Sequence, residues 1–203
     1  MNRLLAVLFF TGLLATACDR PATPSASGDV DYTGFTFEDI PDMPQAKLAQ
    51  KVDGQGRIME EGMLVDGKRN GMWIKYYVEK RLPNEVANFA NDMYNGPFLK
   101  YTNYGQLEMI AHYRNNKLHG RYAKYRLGRP IEEADYVDGQ YHGWYRTYYE
   151  SNGKLQKEIH YKHGVLDGFY RYYNEDGSLV MEYEYKDGKK VRGGLVQQQA
   201  QKK

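Results

Sequence analysis

Five histidines, a recurring glutamate and a single cysteine are the side chains of this chain whose types and spacing could do chemistry. His112, His119, His142, His160 and His163 raise the question of a metal site, since imidazole is a common zinc ligand. His119 and His142 stand in one column with Asn70, Asn95 and Asp167, each directly before a glycine. Equivalent residues of successive hairpins lie about 9.5 Å apart, too far for two ligands of one zinc ion, which sit within about 4 Å. The column is read instead as left-handed turn positions, which Asn, Asp and His tolerate. His112 and His160 fall on a polar strand face, and His163 replaces the Asp of a turn, so no metal is expected. Glu61, Glu133, Glu158 and Glu182 share another column and invite general acid/base chemistry. A catalytic pair needs two unlike environments, whereas a repeat supplies like ones. These carboxylates are therefore read as solvent-face partners of cross-strand Lys and Arg. With no Walker-type loop, nucleophile elbow or Cys-His pair, the chain reads as a non-enzyme without a cofactor. Its 28 Lys+Arg against 26 Asp+Glu give no basic excess for nucleic acid.

Cys18 is the only cysteine, which excludes an intramolecular disulfide. Residues 1–17, MNRLLAVLFFTGLLATA, have one cation, a short apolar stretch and small residues, the pattern of a secretory signal. Leu14-Ala15-Thr16-Ala17-Cys18 resembles a bacterial lipobox, although Ala15 stands where that motif prefers Leu. The resemblance implies lipidation of Cys18; the bland alternative is a cleaved signal with an incidental cysteine. Asp19 resembles the inner-membrane retention signal of enterobacterial lipoproteins. The expected address is the bacterial cell envelope, lipid-anchored and facing the periplasm. Residues 18–50 carry Pro21, Pro24, Pro41 and Pro44 and read as an extended tether. A strand or short helix near Tyr32–Ile40, capping the domain, is the alternative.

The elements that must position these side chains follow from tyrosine. The chain holds 20 Tyr against 7 Phe and 2 Trp, and 19 of those tyrosines fall between Tyr76 and Tyr185. Leu, Ile, Val and Phe are scarce after residue 17, which rules out a thick aliphatic core. Gly71, Gly96, Gly120, Gly143 and Gly168 recur at spacings of 25, 24, 23 and 25. Two residues after each comes an aromatic, Trp73, Phe98, Tyr122, Tyr145 or Tyr170, and five after comes Tyr76, Tyr101, Tyr125, Tyr148 or Tyr173. A second glycine column, Gly56, Gly105, Gly128, Gly153 and Gly177, opens a stretch of period-two alternation. Turns at Asp66-Gly67, Asp138-Gly139, His163-Gly164 and Asp187-Gly188 join such strands into hairpins.

Asp66-Gly67-Lys68-Arg69-Asn70-Gly71-Met72-Trp73 with Tyr76-Tyr77 is similar to the MORN-repeat variant found in bacterial YwqK-type antitoxin-family proteins. So are Asp138-Gly139 through Tyr148-Tyr149, and Asn152-Gly153-Lys154-Leu155 with Glu158 and Tyr161. The resemblance spans roughly residues 54–190 and implies stacked hairpins that bind partners without catalysis. The expected fold is all-β: an elongated antiparallel sheet of five tandem hairpins over 51–192, with a disordered tail at 193–203. The expected function is protein interaction or scaffolding at the envelope. The alternative is a membrane-anchored immunity or antitoxin-type protein that neutralises an exported toxin.

The two aromatic columns have opposite parity on a strand. Either a bulge restores one face, or aromatics line both. In the second case Trp73, Phe98, Tyr122, Tyr145 and Tyr170 would form a ladder beside Lys75, Lys100 and Lys124, fit for a protein, an extended peptide or a peptidoglycan-like glycan. The competing reading is that both columns only stabilise a thin sheet. Lys186, Lys189, Lys190 and Arg192 read as an anionic-lipid or partner contact, or as a solvated edge.

Overall fold

A computed structural model of the protein describes residues 30–196. Most of them are strand and the rest are turns and loops, as alternating patterns between turn residues dictate. The first seven strands are β1 Phe35–Ile40, β2 Met43–Val52, β3 Ile58–Val65, β4 Lys68–Tyr77, β5 Leu82–Ala90, β6 Met93–Tyr101 and β7 Leu107–Arg114. There follow β8 Lys117–Leu118, β9 Gly120–Arg126, β10 Arg129–Val137, β11 Gln140–Tyr148, β12 Leu155–Lys162, β13 Val165–Tyr173, β14 Leu179–Lys186 and β15 Lys189–Leu195. Each pairs antiparallel with the next in one open sheet, and β8 and β9 both pair with β7 as two parts of one strand. The expected all-β, elongated hairpin sheet is what forms.

Its extent differs from the expectation of five hairpins over 51–192. Residues 35–50, expected within the tether, form β1 and most of β2, so the alternative of a strand near Tyr32–Ile40 is what forms there, and residues 193–195, expected in the tail, belong to β15. Proline misled here: Pro41 lies in the β1–β2 turn and Pro44 at the second residue of β2, near the strand start where a missing N–H is tolerated. The signal segment, Cys18 and residues 197–203 lie outside the described residues.

The turns alternate between two rims. On one rim both central residues have positive φ at Asp66-Gly67, Asn91-Asp92, Asn115-Asn116, Asp138-Gly139, His163-Gly164 and Asp187-Gly188, the type I′ geometry whose twist matches paired strands. The other rim carries longer loops, closed by Asp53 N–H to Arg57 C=O (2.9 Å), Thr102 to Gln106 (2.8 Å), Tyr149 to Lys154 (2.9 Å) and Asn174 to Ser178 (2.9 Å).

Register decides the parity question: aromatics line both faces. On β4, Trp73 stands opposite Gly62 and Ala87, while Ile74 stands opposite Glu61 and Val86. Tyr76 shares the face of Ile74, and its hydroxyl donates to Glu61 (2.6 Å). Register does shift between the two columns, at Lys75/Tyr76, Lys100/Tyr101, Thr147/Tyr148 and Tyr172/Tyr173, but the extra residue there lies on the following strand (Asn84 and Glu108 in the first two cases), so the columns keep opposite faces. A second set of shifts lies near the repeat glycines, where Gly71 has φ +69° and Gly96 φ +112°.

The front face carries the core. A cross-strand row runs Phe37, Ala49, Gly62, Trp73, Ala87, Phe98 and Ala111, alternating large and small from Gly62 on, and resumes as Tyr122, Ala134, Tyr145, Ile159 and Tyr170. Small neighbours let each ring lie across the sheet instead of standing off it. Trp73 lies so close over Gly62 that a β-carbon there would fall on the indole, and its N–H donates to Met63 C=O (3.0 Å). Tyr32, just before β1, and Phe35, at its first residue, reach Trp73 at 6.5 and 6.1 Å between centroids. Beside this row runs a second one, with Phe89 to Tyr94 at 4.5 Å, Tyr94 to Tyr113 at 5.4 Å, Tyr136 to Tyr141 at 4.7 Å and Tyr141 to Tyr161 at 5.1 Å. Such ring pairs add about 0.5–1.5 kcal/mol each beyond buried area.

Candidate functional site: a notch in the loop rim

The expected binding ladder is mostly core. Trp73 is 3% exposed, Phe98 is equally buried and Tyr122 is 1% exposed, so none of the three can meet a partner. Tyr145 and Tyr170 are half-buried. The reason is the small-residue column Gly62, Ala87, Ala111 and Ala134, spaced 25, 24 and 23, which the reading of the large residues passed over. Where Ile159 takes that position, the adjoining rings Tyr145 and Tyr170 are less buried.

The glutamate column lies on the back face, and it changes character halfway along the sheet. Ile74, Val86, Leu99, Ile110 and Ala123 form an apolar row that continues as Glu133, Arg146, Glu158, Arg171 and Glu182. Glu133 accepts from the Tyr148 hydroxyl (2.6 Å) and pairs with Arg121 (2.6 Å). Burial pushes the Glu133 carboxyl up, but those two donors outweigh it and hold it below the usual carboxylate range. Glu158, 7% exposed, is bracketed by Arg171 (3.1 Å), Arg146 (3.3 Å) and the Tyr173 hydroxyl (3.1 Å). Arg171 also holds Glu182 at 2.7 Å. Charge-matched carboxylates of this kind fix strand register.

The histidine column has a role different from the left-handed turn expected of it. Neither His119 nor His142 has positive φ; of the five histidines only His163 does. Instead the column receives the backbone of the next turn. Asn91 N–H donates to Asn70 (3.2 Å), Asp138 N–H to His119 Nδ1 (3.3 Å), His163 N–H to His142 Nδ1 (3.3 Å) and Asp187 N–H to Asp167 (3.3 Å). Among the described residues no group of three or more His, Cys, Asp or Glu could hold a metal ion.

Two loops of the long-loop rim depart from the repeat: the β4–β5 loop at 78–81, which has no glycine and turns at Arg81 with φ +53°, and the β9–β10 turn, which is the shorter. Between the loops at 102–106 and 149–154, β9 and β10 are joined by only Leu127 and Gly128, with Arg126 opposite Arg129. The short turn leaves a notch. Two clefts, of about 600 and 460 Å³, meet there and share Arg126, Leu127, Ile131 and Glu150. Leu127 is 80% exposed and holds φ +50°, a conformation that costs a residue with a β-carbon roughly 1–2 kcal/mol. Tyr104, 76% exposed, stands on the neighbouring loop with Lys80 Nζ 4.1 Å from its ring centre. Arg126 spans the gap to Glu150 in an ion pair. An exposed apolar side chain, held in strain and edged by cations and a carboxylate, can recognise an apolar residue flanked by acidic ones. The sequence signal was the shortest glycine spacing, 23, together with Leu before Gly128.

No family model matches this chain, and no curated protein matches it. Among solved structures, two crystal structures of TarM match at 13% and 14% identity, one being an S. aureus variant in complex with Fondaparinux, alpha-GlcNAc-glycerol and UDP. Both have a TM-score of 0.32 and cover 54% of this chain and 21% of theirs, so the chain spans about a fifth of their length. At that level the likeness carries no argument.

Proposed function

We propose that this chain is a non-enzymatic, lipid-anchored protein of the bacterial envelope, built on MORN-variant hairpins, that captures a protein partner at the notch around Leu127. The observation that carries the reading is Leu127 itself. A type I′ turn favours Asn, Asp or Gly at this position, and Leu gives up stability there while presenting an apolar side chain to solvent. The carboxylates of the back face, each matched to Arg or Tyr, support a structural role over acid/base work.

Leu127→Asn separates stability from binding. It should raise unfolding free energy by about 0.5–1 kcal/mol, because Asn-Gly relieves the turn. It should also weaken the partner, identified by photo-cross-linking from position 127, at least tenfold in a titration of the two purified proteins. A stabilised variant with undiminished affinity would remove the notch as the contact.

The anchor is tested apart from the notch. Cys18→Ala should move the protein from the membrane to the soluble fraction, and membrane association that persists in the variant would sink lipidation at Cys18.

A further inference from the structure

The paired path holds 14 strands, an even number, so its two edges, β1 and β15, run antiparallel and differ in kind. β15 is a strand that follows an Asp-Gly turn, like β4, and β1 is a strand that precedes a turn, like β5. Free edges normally carry devices against pairing, and Lys189, Lys190 and Arg192 look like one. The repeat says otherwise. Lys68 and Arg69 occupy the matching positions of β4, an interior strand paired on both sides. There Arg69 is held by Asp92, the second residue of the next turn (3.1 Å), whose N–H donates to Arg69 C=O (3.0 Å). The residue of the β1–β2 turn that matches Asp92 is Asp42, with φ +64° against +66°.

We propose that β15 of one copy adds to β1 of a second copy, continuing the sheet head to tail. β15 is matched to β4 through the strand before each, where Tyr183 pairs Gly193 as Gly62 pairs Trp73, and has one residue fewer than β4 between this stretch and its turn. Applying the β4–β5 pairing across the junction sets Gly193 against Phe37 of the second copy, Arg192 against Glu38, and Leu195 against Phe35. Each pair is complementary. Gly193 faces the ring of Phe37 as Gly62 faces that of Trp73. Phe37, Val191 and Leu195, exposed on the two edges, become covered. Face and strand direction are both preserved, so the contact repeats without closing and gives an open series instead of a dimer. This inference is independent of the notch and its partner.

Sedimentation velocity of the purified full chain tests it through a charge swap. Wild type should show a mass that rises with concentration past the dimer. Glu38→Arg and Arg192→Glu, each alone, set like charges across the junction and should stay monomeric where wild type associates, a loss of at least tenfold in affinity. Mixed in equal amounts, the two variants present only opposite charges at every contact between them and should associate again. Circular dichroism checks that both variants keep the sheet. Wild type monomeric up to its highest soluble concentration overturns the proposal. So does a mixture that stays monomeric, association of both single variants at wild-type strength, or a species that stops at the dimer.

Discussion

Gly62→Val is expected to destabilise the sheet by about 3 kcal/mol in urea unfolding, the upper part of the range for overpacking. The added side chain has no free volume to enter, because the indole of Trp73 already covers the Gly62 α-carbon and is fixed there by its N–H bond to Met63. The ring cannot swing away, since Phe89 closes one side at 6.5 Å and Phe35 the other at 6.1 Å. Trp73→Ala removes the ring itself and should cost about 3–5 kcal/mol. The two lesions occupy one volume, so the double variant should fall short of their sum by ~1 kcal/mol or more, with valine partly filling the space the indole left. Strict additivity would mean that the ring does not depend on the glycine beneath it.

The same pair of residues marks what can be read in such a sequence. The rings and turn glycines were legible because each stands for a geometry: a large side chain at a fixed offset, or φ above zero at a turn. The columns at Gly71 and Tyr76 therefore fixed the hairpin period, and the Asp-Gly turns fixed where most strands end. Gly62, Ala87, Ala111 and Ala134 repeat at the same period, yet a small residue announces nothing until a ring is known to lie on it. For that reason the sequence leaves Trp73, Phe98 and Tyr122 open between an accessible ladder and a purely stabilising column, and their burial decides for the second. Ala46 and Ala49 suffered likewise: between Pro44 and the first repeat they look like linker, but both are fully buried in β2. The histidine column was legible as a column, but its reading as left-handed turn positions fails, since neither His119 nor His142 has positive φ. Its bond to the next turn was not legible, because that contact spans about 20 residues and depends on how successive hairpins stack. Leu127 was visible only as the residue before a repeat glycine; that its turn is short, and leaves a notch, depends on the length of the loops either side.

Raising the pH should unfold the sheet between about pH 10 and 12, through its tyrosines. Burial pushes the Tyr113 phenol up to about 12, and pushes Tyr122 and Tyr136 further in the same direction. Burial, with the hydrogen bonds to Glu61 and Glu133, raises Tyr76 and Tyr148 to about 12 as well. A group whose folded value lies above its unfolded value, here ~10, stabilises the fold in full below pH 10. That contribution is lost as pH climbs through the folded value. Each such phenol contributes at most about 3 kcal/mol, less for the half-exposed Tyr76 and Tyr148 because solvent screens them. Three deeply buried rings together then approach the ~5–15 kcal/mol that holds an ordinary domain. The expected record is a step in tyrosinate absorbance that coincides with loss of the far-ultraviolet β signal. Tyr122→Phe supplies the control. The Tyr122 hydroxyl is buried without a hydrogen-bond partner, so its removal should stabilise the sheet by about 1 kcal/mol at neutral pH and move the alkaline midpoint upward. A β signal that survives while every phenol ionises would show that the rings are not what closes the front face, and so would a Tyr122→Phe midpoint that moves down.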